Sequence, residues 1–162
     1  MQYDLLVTVS KEHSDNFEPR TTSPARILIV DDQKLIRFRV REILRGLENI
    51  SVIGEAADGR AAVSMALSLK PDIIIMDVSM PEQNGIDATR QILAQEPEIR
   101  VLAHSGDSDE STVRRMFAAG ACGYINKTGD AADLVSALVK VLAGERYLNI
   151  QPNFGAVWVR RD

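Results

Sequence analysis

The sequence predicts an α/β fold built on a doubly wound parallel sheet, and three observations predict it. Apolar runs of strand length alternate with segments of helical period five times between Arg26 and Gly144. Two of the runs, Ile27-Leu28-Ile29-Val30 and Ile73-Ile74-Ile75-Met76, are unbroken, as in strands covered on both faces. Both runs end in acid, Asp31-Asp32 and Asp77, at the carboxyl ends where sheets of this kind bind their ligands.

The remaining strands read as Ser51-Val52-Ile53, Val101-Leu102-Ala103 and Gly123-Tyr124-Ile125. The first helix follows from Ile36, Val40, Ile43 and Leu47, whose spacing makes one apolar stripe; Lys34, Arg37, Arg41 and Arg45 lie elsewhere on the wheel. Ala62, Met65, Ala66 and Leu69 mark the second helix, stopped by Pro71, and Ile86, Thr89 and Leu93 the third, stopped before Pro97. Val113, Met116 and Phe117 mark the fourth, ending at Gly120. Leu134, Leu138, Val141 and Leu142 mark the fifth, ending near Gly144. Right-handed crossovers place such helices on both faces of the sheet.

The 162 residues suit one such domain, at residues 26–144, with an N-terminal extension and linker at 1–25 and a short tail at 145–162. The formal charge of −4 includes no strongly basic block, so nothing favours binding along a phosphate backbone. A single cysteine, Cys122, excludes an intramolecular disulfide and a cysteine-based zinc cage; it reads as a small buried residue that begins the fifth strand. No run approaches a membrane span and no secretory signal pattern opens the chain, so the expectation is a cytoplasmic protein without membrane contact.

Chemistry should lie where the strand ends meet. If the first and third strands are neighbours, Asp31, Asp32 and Asp77 share one crevice. Two carboxylates ~4 Å apart repel by about 4 kcal/mol at an effective dielectric near 20, so the site takes up a proton or a cation. Hard oxygen ligands with room for water and phosphate oxygens favour Mg²⁺. Ser105 and Lys127 follow the fourth and fifth strands and reach the same rim, a hydroxyl and an ammonium suited to phosphoryl oxygens. An aspartate there can form an acyl phosphate. Taken singly, each of these residues also reads as an ordinary solvated loop residue.

From Arg26 to Gly144 the chain resembles the receiver domain of two-component response regulators. The matching pieces are Ile27–Asp32, Asp77-Val78-Ser79-Met80-Pro81-Glu82-Gln83-Asn84-Gly85, Ser105-Gly106 and Gly123-Tyr124-Ile125-Asn126-Lys127, in order and at matching distances. The resemblance implies a flavodoxin-like (βα)₅ fold with strand order 2-1-3-4-5. It implies that Asp77 takes a phosphoryl group from a histidine kinase or a histidine phosphotransfer protein. Asp32 and Asp77 would then hold Mg²⁺ directly, with Asp31 acting through water and the Ser79 carbonyl as a further ligand. Ser105 and Lys127 would hold the phosphoryl oxygens, and Ser105 and Tyr124 would form the switch, Tyr124 moving inward on phosphorylation. Gly106 would leave the phosphate accessible.

From Met80 to Leu148 the sequence is nearest to regulators that carry a LuxR-type helix-turn-helix domain, yet only 18 residues follow Gly144, too few for that domain. The leading expectation is a phosphoacceptor that is no enzyme in the turnover sense, assists its own phosphorylation and dephosphorylation, and signals to an unknown downstream protein without contacting DNA. Dimerisation on phosphorylation stays open. The alternatives are a truncated or partner-dependent LuxR-type regulator and a flavodoxin-like cofactor binder; the latter needs a phosphate-cradling loop where Asp31-Asp32-Gln33 stands. His104 is expected as a packed neutral imidazole, His13 as solvated, and Phe154 and Trp158 as groups that pack on the domain or on a partner.

Overall fold

The computed structural model describes residues 23–150. The strands are β1 (Ala25–Val30), β2 (Ile50–Ala56), β3 (Ile73–Met76), β4 (Arg100–Ser105), β5 (Gly123–Asn126) and β6 (Tyr147–Asn149). The helices are α1 (Lys34–Arg45), α2 (Gly59–Leu69), α3 (Gly85–Gln95), α4 (Glu110–Ala118) and α5 (Ala131–Leu142). All strand pairs are parallel, in the order β2-β1-β3-β4-β5-β6. His13, Phe154 and Trp158 lie outside the described residues.

Alternation along the strands builds three layers. Ile27, Ile29, Ile73 and Ile75 pack with Val40 and Leu44 of α1 and Leu134 and Leu138 of α5. Their neighbours Leu28, Val30, Ile74 and Met76 face the opposite way, onto Ala62 and Ala66 of α2, Ile92 of α3 and Met116 of α4. Because Ile27–Val30 of β1 and all of β3 are covered on both sides, those stretches hold no polar residue, which explains their unbroken apolar runs. Four helices begin at an acid or amide that accepts an early amide proton: Asp58 from Ala61, Asn84 from Asp87, Asp109 from Thr112 and Asp130 from Asp133.

Several boundaries differ from expectation. Ala25 belongs to β1, one residue inside the segment read as linker. β2 runs on through Gly54-Glu55-Ala56 because Ile53 is an extra residue in the β1–β2 ladder, a bulge after which Glu55 pairs with Ile29. Cys122 precedes β5 and is half-buried, so it does not begin the strand.

The largest correction concerns the tail. Tyr147–Asn149, expected outside the domain, extend the sheet at the β5 edge. Tyr147 packs on the α1 and α5 side, whereas Leu148 and Ile150 join the cluster containing Tyr124 and Met116. Asp133 of α5 accepts hydrogen bonds from the Tyr147 hydroxyl at 2.7 Å and the Asn149 amide at 2.7 Å. Arg146 lies over the Phe117 ring of α4, 6.0 Å from its centroid. β6 therefore ties α4 to α5 across the edge of the sheet.

One close approach positions the loop after β3. The Gly85 amide donates to the Val78 carbonyl at 2.9 Å, and the turn presses its Cα against the Asp77 carbonyl, where a Cβ would collide with main chain. Gly85→Ala should lower unfolding stability by about 1–3 kcal/mol through overpacking, read from urea denaturation.

Candidate functional site

The sheet delivers its acids together. Asp31 follows β1, Asp77 follows β3, and the Asp77 amide donates to the Val30 carbonyl at 2.8 Å, locking the two strand ends side by side. Carboxylate oxygens of Asp31, Asp32 and Asp77 all lie within 4.8 Å of one another. Asp31 and Asp77 are each 1% exposed, whereas Asp32 faces solvent at the rim.

Lys127, just beyond β5, points its ammonium into this group, 2.7 Å from Asp31 Oδ2 and 3.1 Å from Asp77 Oδ1. Its own amide donates to the Ser105 carbonyl at 2.9 Å, which joins the ends of β4 and β5. Asp31 Oδ1 accepts from the Gln33 amide at 2.8 Å, while its buried Oδ2 has the Lys127 ammonium as an ion-pair partner but no hydrogen bond. Asp77 Oδ1 also accepts from the Ser79 amide at 3.3 Å. Asp77 Oδ2 is buried and has no hydrogen-bond partner among the described residues.

Charge and burial compete here. Burial and then the charge of Asp31 raise the Asp77 carboxyl from an ordinary 3.8 to about 6, although Lys127 pulls it down. Burial by itself would lower the Lys127 pKa, but bonding to Asp31 and the charges of both acids outweigh it and hold it above the ordinary lysine value. Three carboxylates thus face one ammonium. An orphaned buried carboxylate oxygen beside two further acids fits a small divalent cation with hard-oxygen preference.

Ser105 is fully buried at the end of β4, and its hydroxyl accepts from the Asp107 amide at 3.1 Å. The Tyr124 hydroxyl donates to the Asp107 carbonyl at 2.6 Å. The two expected switch residues therefore meet through Asp107. The Tyr124 ring is already fully buried, so an inward movement starts from a ring that is inside. Gly106 is exposed, and a Cβ there would meet nothing within 4 Å.

His104 is buried on the α1 and α5 side, and burial, then the charges of Lys127 and Arg39, lower its pKa to about 4. It is the packed neutral imidazole expected. The basic residues of α1 are less free than their pattern suggested. Arg37 and Arg41 both reach Glu55, and Arg39 donates to the carbonyls of Lys127 and Gly129 at 3.4 and 3.1 Å. Asp107, Glu55 and Arg39 were missed as supports of the site. Only the i, i+4 pair Arg37 and Arg41 gave a signal, on the flank of the buried stripe.

The fold and this edge define a receiver-type α/β domain. The chain belongs to the response regulator receiver domain family, to which residues 27–139 match. It is 36% identical over 126 residues to the response regulator GacA of Pseudomonas aeruginosa, covering 78% of this chain and 59% of that protein. To the response regulator protein VraR of Staphylococcus aureus it is 38% identical over 120 residues, covering 74% and 57%. The chain thus spans about three fifths of the length of the curated relatives it matches. Among solved structures, a LuxR-family two-component response regulator from Aurantimonas sp. SI85-9A1 superposes with a TM-score of 0.74 at 36% identity, covering 77% of this chain and 89% of that one. The signal receiver domain of the putative response regulator NarL from Mycobacterium tuberculosis gives 0.73 at 28%, covering 76% and 99%. The receiver reading holds over a flavodoxin-like cofactor binder. Among the described residues, no helix is long and apolar enough to cross a membrane.

The raised Asp77 pKa fixes the sign of a pH effect. The folded chain binds this proton more tightly than the unfolded chain, so stability falls as pH rises from about 4 to about 6. Asparagine stays neutral throughout. In EDTA, Asp77→Asn should match the parent below pH 4 and exceed its stability above pH 6, read from urea midpoints across that range.

Proposed function

We propose that Asp77 is the phosphoacceptor of this receiver, taking a phosphoryl group from a phosphohistidine of a histidine kinase or a histidine phosphotransfer protein in the cytoplasm. The observation that carries the reading is the state of Asp77: Oδ1 is held by Lys127 while Oδ2 is buried and unpartnered. In the transfer, a carboxylate oxygen of Asp77 forms a bond to phosphorus as the phosphorus–nitrogen bond breaks, and the electron pair leaves with the imidazole, which carries a proton on its other ring nitrogen. The product is an acyl phosphate. Lys127 stabilises the added oxygens as a point charge, and Ser105 supplies a hydroxyl at the same rim.

Asp32 and Asp77 would hold Mg²⁺ directly. The Ser79 carbonyl is a further ligand in this reading. Asp31, hydrogen-bonded at Oδ1 and ion-paired at Oδ2, acts through water. When bound, the cation offsets charge on the transferring group. The domain assists its own phosphorylation and dephosphorylation through these residues but does not turn over substrate as an enzyme does.

The output passes through protein contact. If Ser105 moves toward a phosphoryl oxygen, its hydroxyl leaves the Asp107 amide, and Asp107 is also what the Tyr124 hydroxyl holds. The rearrangement then biases the β4–α4 loop and the face formed by α4, β5 and α5. The reactive edge is acidic, which opposes contact with a phosphate backbone.

Acetyl phosphate with Mg²⁺ should add one phosphoryl group by intact mass, and Asp77→Asn should abolish it; equal yield in that variant overturns the assignment. Ser105→Ala should still accept the group while the amide shifts of Asp107 and Tyr124 stay at their unphosphorylated values.

A further inference from the structure

We infer that Arg37 is a positioning residue for the cation site, acting on the peptide that joins Asp31 to Asp32. This rests on the phosphoacceptor reading and deepens it. The Arg37 guanidinium makes two bonds at once: Nη1 donates to the Asp31 carbonyl at 2.7 Å, and Nε donates to Glu55 Oε2 at 3.2 Å. The side chain is only 15% exposed, so the fork is held in a partly desolvated place where charge-assisted bonds are stronger.

The geometry makes that carbonyl decisive. The Asp31 amide is still in the sheet, donating to the Ala56 carbonyl at 3.1 Å. Beyond it β1 ends and the chain turns into α1, so the Asp31 carbonyl has left the ladder. Gln33, at the start of α1, makes no side-chain cap. Arg37 reaches back from the first turn of α1 to hold this carbonyl, and the same peptide carries the Asp32 amide. Rotation of that peptide would swing the Asp32 side chain relative to Asp77 while leaving Asp31 tied to Lys127.

The anchor comes from the bulged strand. The extra residue Ile53 brings Glu55 beside Ile29, facing α1, where it receives both Arg37 and Arg41. Arg41 provides an internal control. It bonds the other oxygen of the same carboxylate, Glu55 Oε1, at 2.6 Å and stacks over Phe38, but among the described residues it has no bond to the β1–α1 turn.

The sign of the effect separates positioning from simple electrostatics. A positive charge near a cation site opposes cation binding, so deleting either arginine for its charge alone would tighten Mg²⁺. Loss of positioning weakens it instead, and only for Arg37. Residues that orient metal ligands typically contribute about tenfold or more in affinity.

Calorimetric titration of the full chain with Mg²⁺, alongside the amide nitrogen shift of Asp32 without metal, tests this. Arg37→Gln should weaken Mg²⁺ by about tenfold and displace the Asp32 resonance. Arg41→Gln should stay within about twofold, as exposed ion pairs contribute little. Should Arg37→Gln fail to fold, Arg37→Lys, which keeps the charge but loses the fork, should still weaken Mg²⁺ more than Arg41→Gln does. Unchanged or tightened affinity in the Arg37 variants, or equal weakening in both positions, overturns the inference while leaving the phosphoacceptor reading intact. A parent chain that binds no Mg²⁺ defeats that reading itself, and this one with it.

Discussion

Lys127 carries the positive charge on which the reactive edge depends. Its ammonium touches both buried carboxylates, and nothing else among the described residues bridges Asp31 to Asp77. Two buried acids at such a distance repel strongly in a medium less polar than water. Lys127 is in turn held by main chain on two sides, through its amide to Ser105 and through its carbonyl to Arg39. The position of one ammonium thus depends on the register of β4 with β5 and on the packing of α1 against the loop after β5.

The same register organises the other half of the site. Ser105 pairs with Asn126 in the β4–β5 ladder, and Ala103 pairs with Tyr124, so the hydroxyl and the aromatic ring lie on adjoining strands near the phosphoryl edge. Asp107 joins them through its amide and its carbonyl. β6 then adds a constraint from the far side. Leu148 pairs with Tyr124 in register and packs in the same cluster as Tyr124 and Met116 of α4, so Tyr124 has β6 beside it on the sheet. A movement of Tyr124 is therefore felt by β6 and, through Tyr147 and Asn149, by Asp133 of α5.

The fold was legible where burial leaves one choice. β1 and β3 are sealed on both faces, so composition alone marks them, and the acids that end them mark the site. Where a segment is half-covered the signal faded. β2 was cut short at Ile53 because Gly54 and Glu55 do not read as strand, although the bulge turns Glu55 toward α1 for a charged purpose. β6 has only three residues after Gly144, whose φ of +84° reads as a terminator; its pairing is a tertiary event that no local pattern announces. The acids, Ser105 and Lys127 could be named because strand ends place them. Their supports could not. Arg37 acts through a backbone carbonyl, and Asp107 through its own main-chain groups, neither of which depends on a recognisable pairing of side chains in sequence.

What remains is the reason a stable fold should keep so unfavourable an edge. Burial and Asp31 push the Asp77 carboxyl up to about 6, so near neutral pH the chain holds a carboxylate that its surroundings disfavour. Lys127 relieves part of this and leaves Oδ2 without a partner. Had the site been made only for stability, a second donor at Oδ2 would have completed it, as buried polar atoms usually are. A completed carboxylate would be a poor nucleophile and would leave a cation little to neutralise. The missing donor and the excess negative charge are the same feature seen from two sides. On the proposed phosphoacceptor reading they leave Asp77 reactive, and the excess negative charge draws a cation, which in turn offsets the charge of an incoming phosphoryl group. The conformational response follows from the same imbalance: a group that enters this edge changes what Lys127 and Ser105 bond to, and those two residues are fixed to the ends of β4 and β5. On the proposed reading, reactivity and signalling therefore rest on a single electrostatic deficit that the sheet register holds in place.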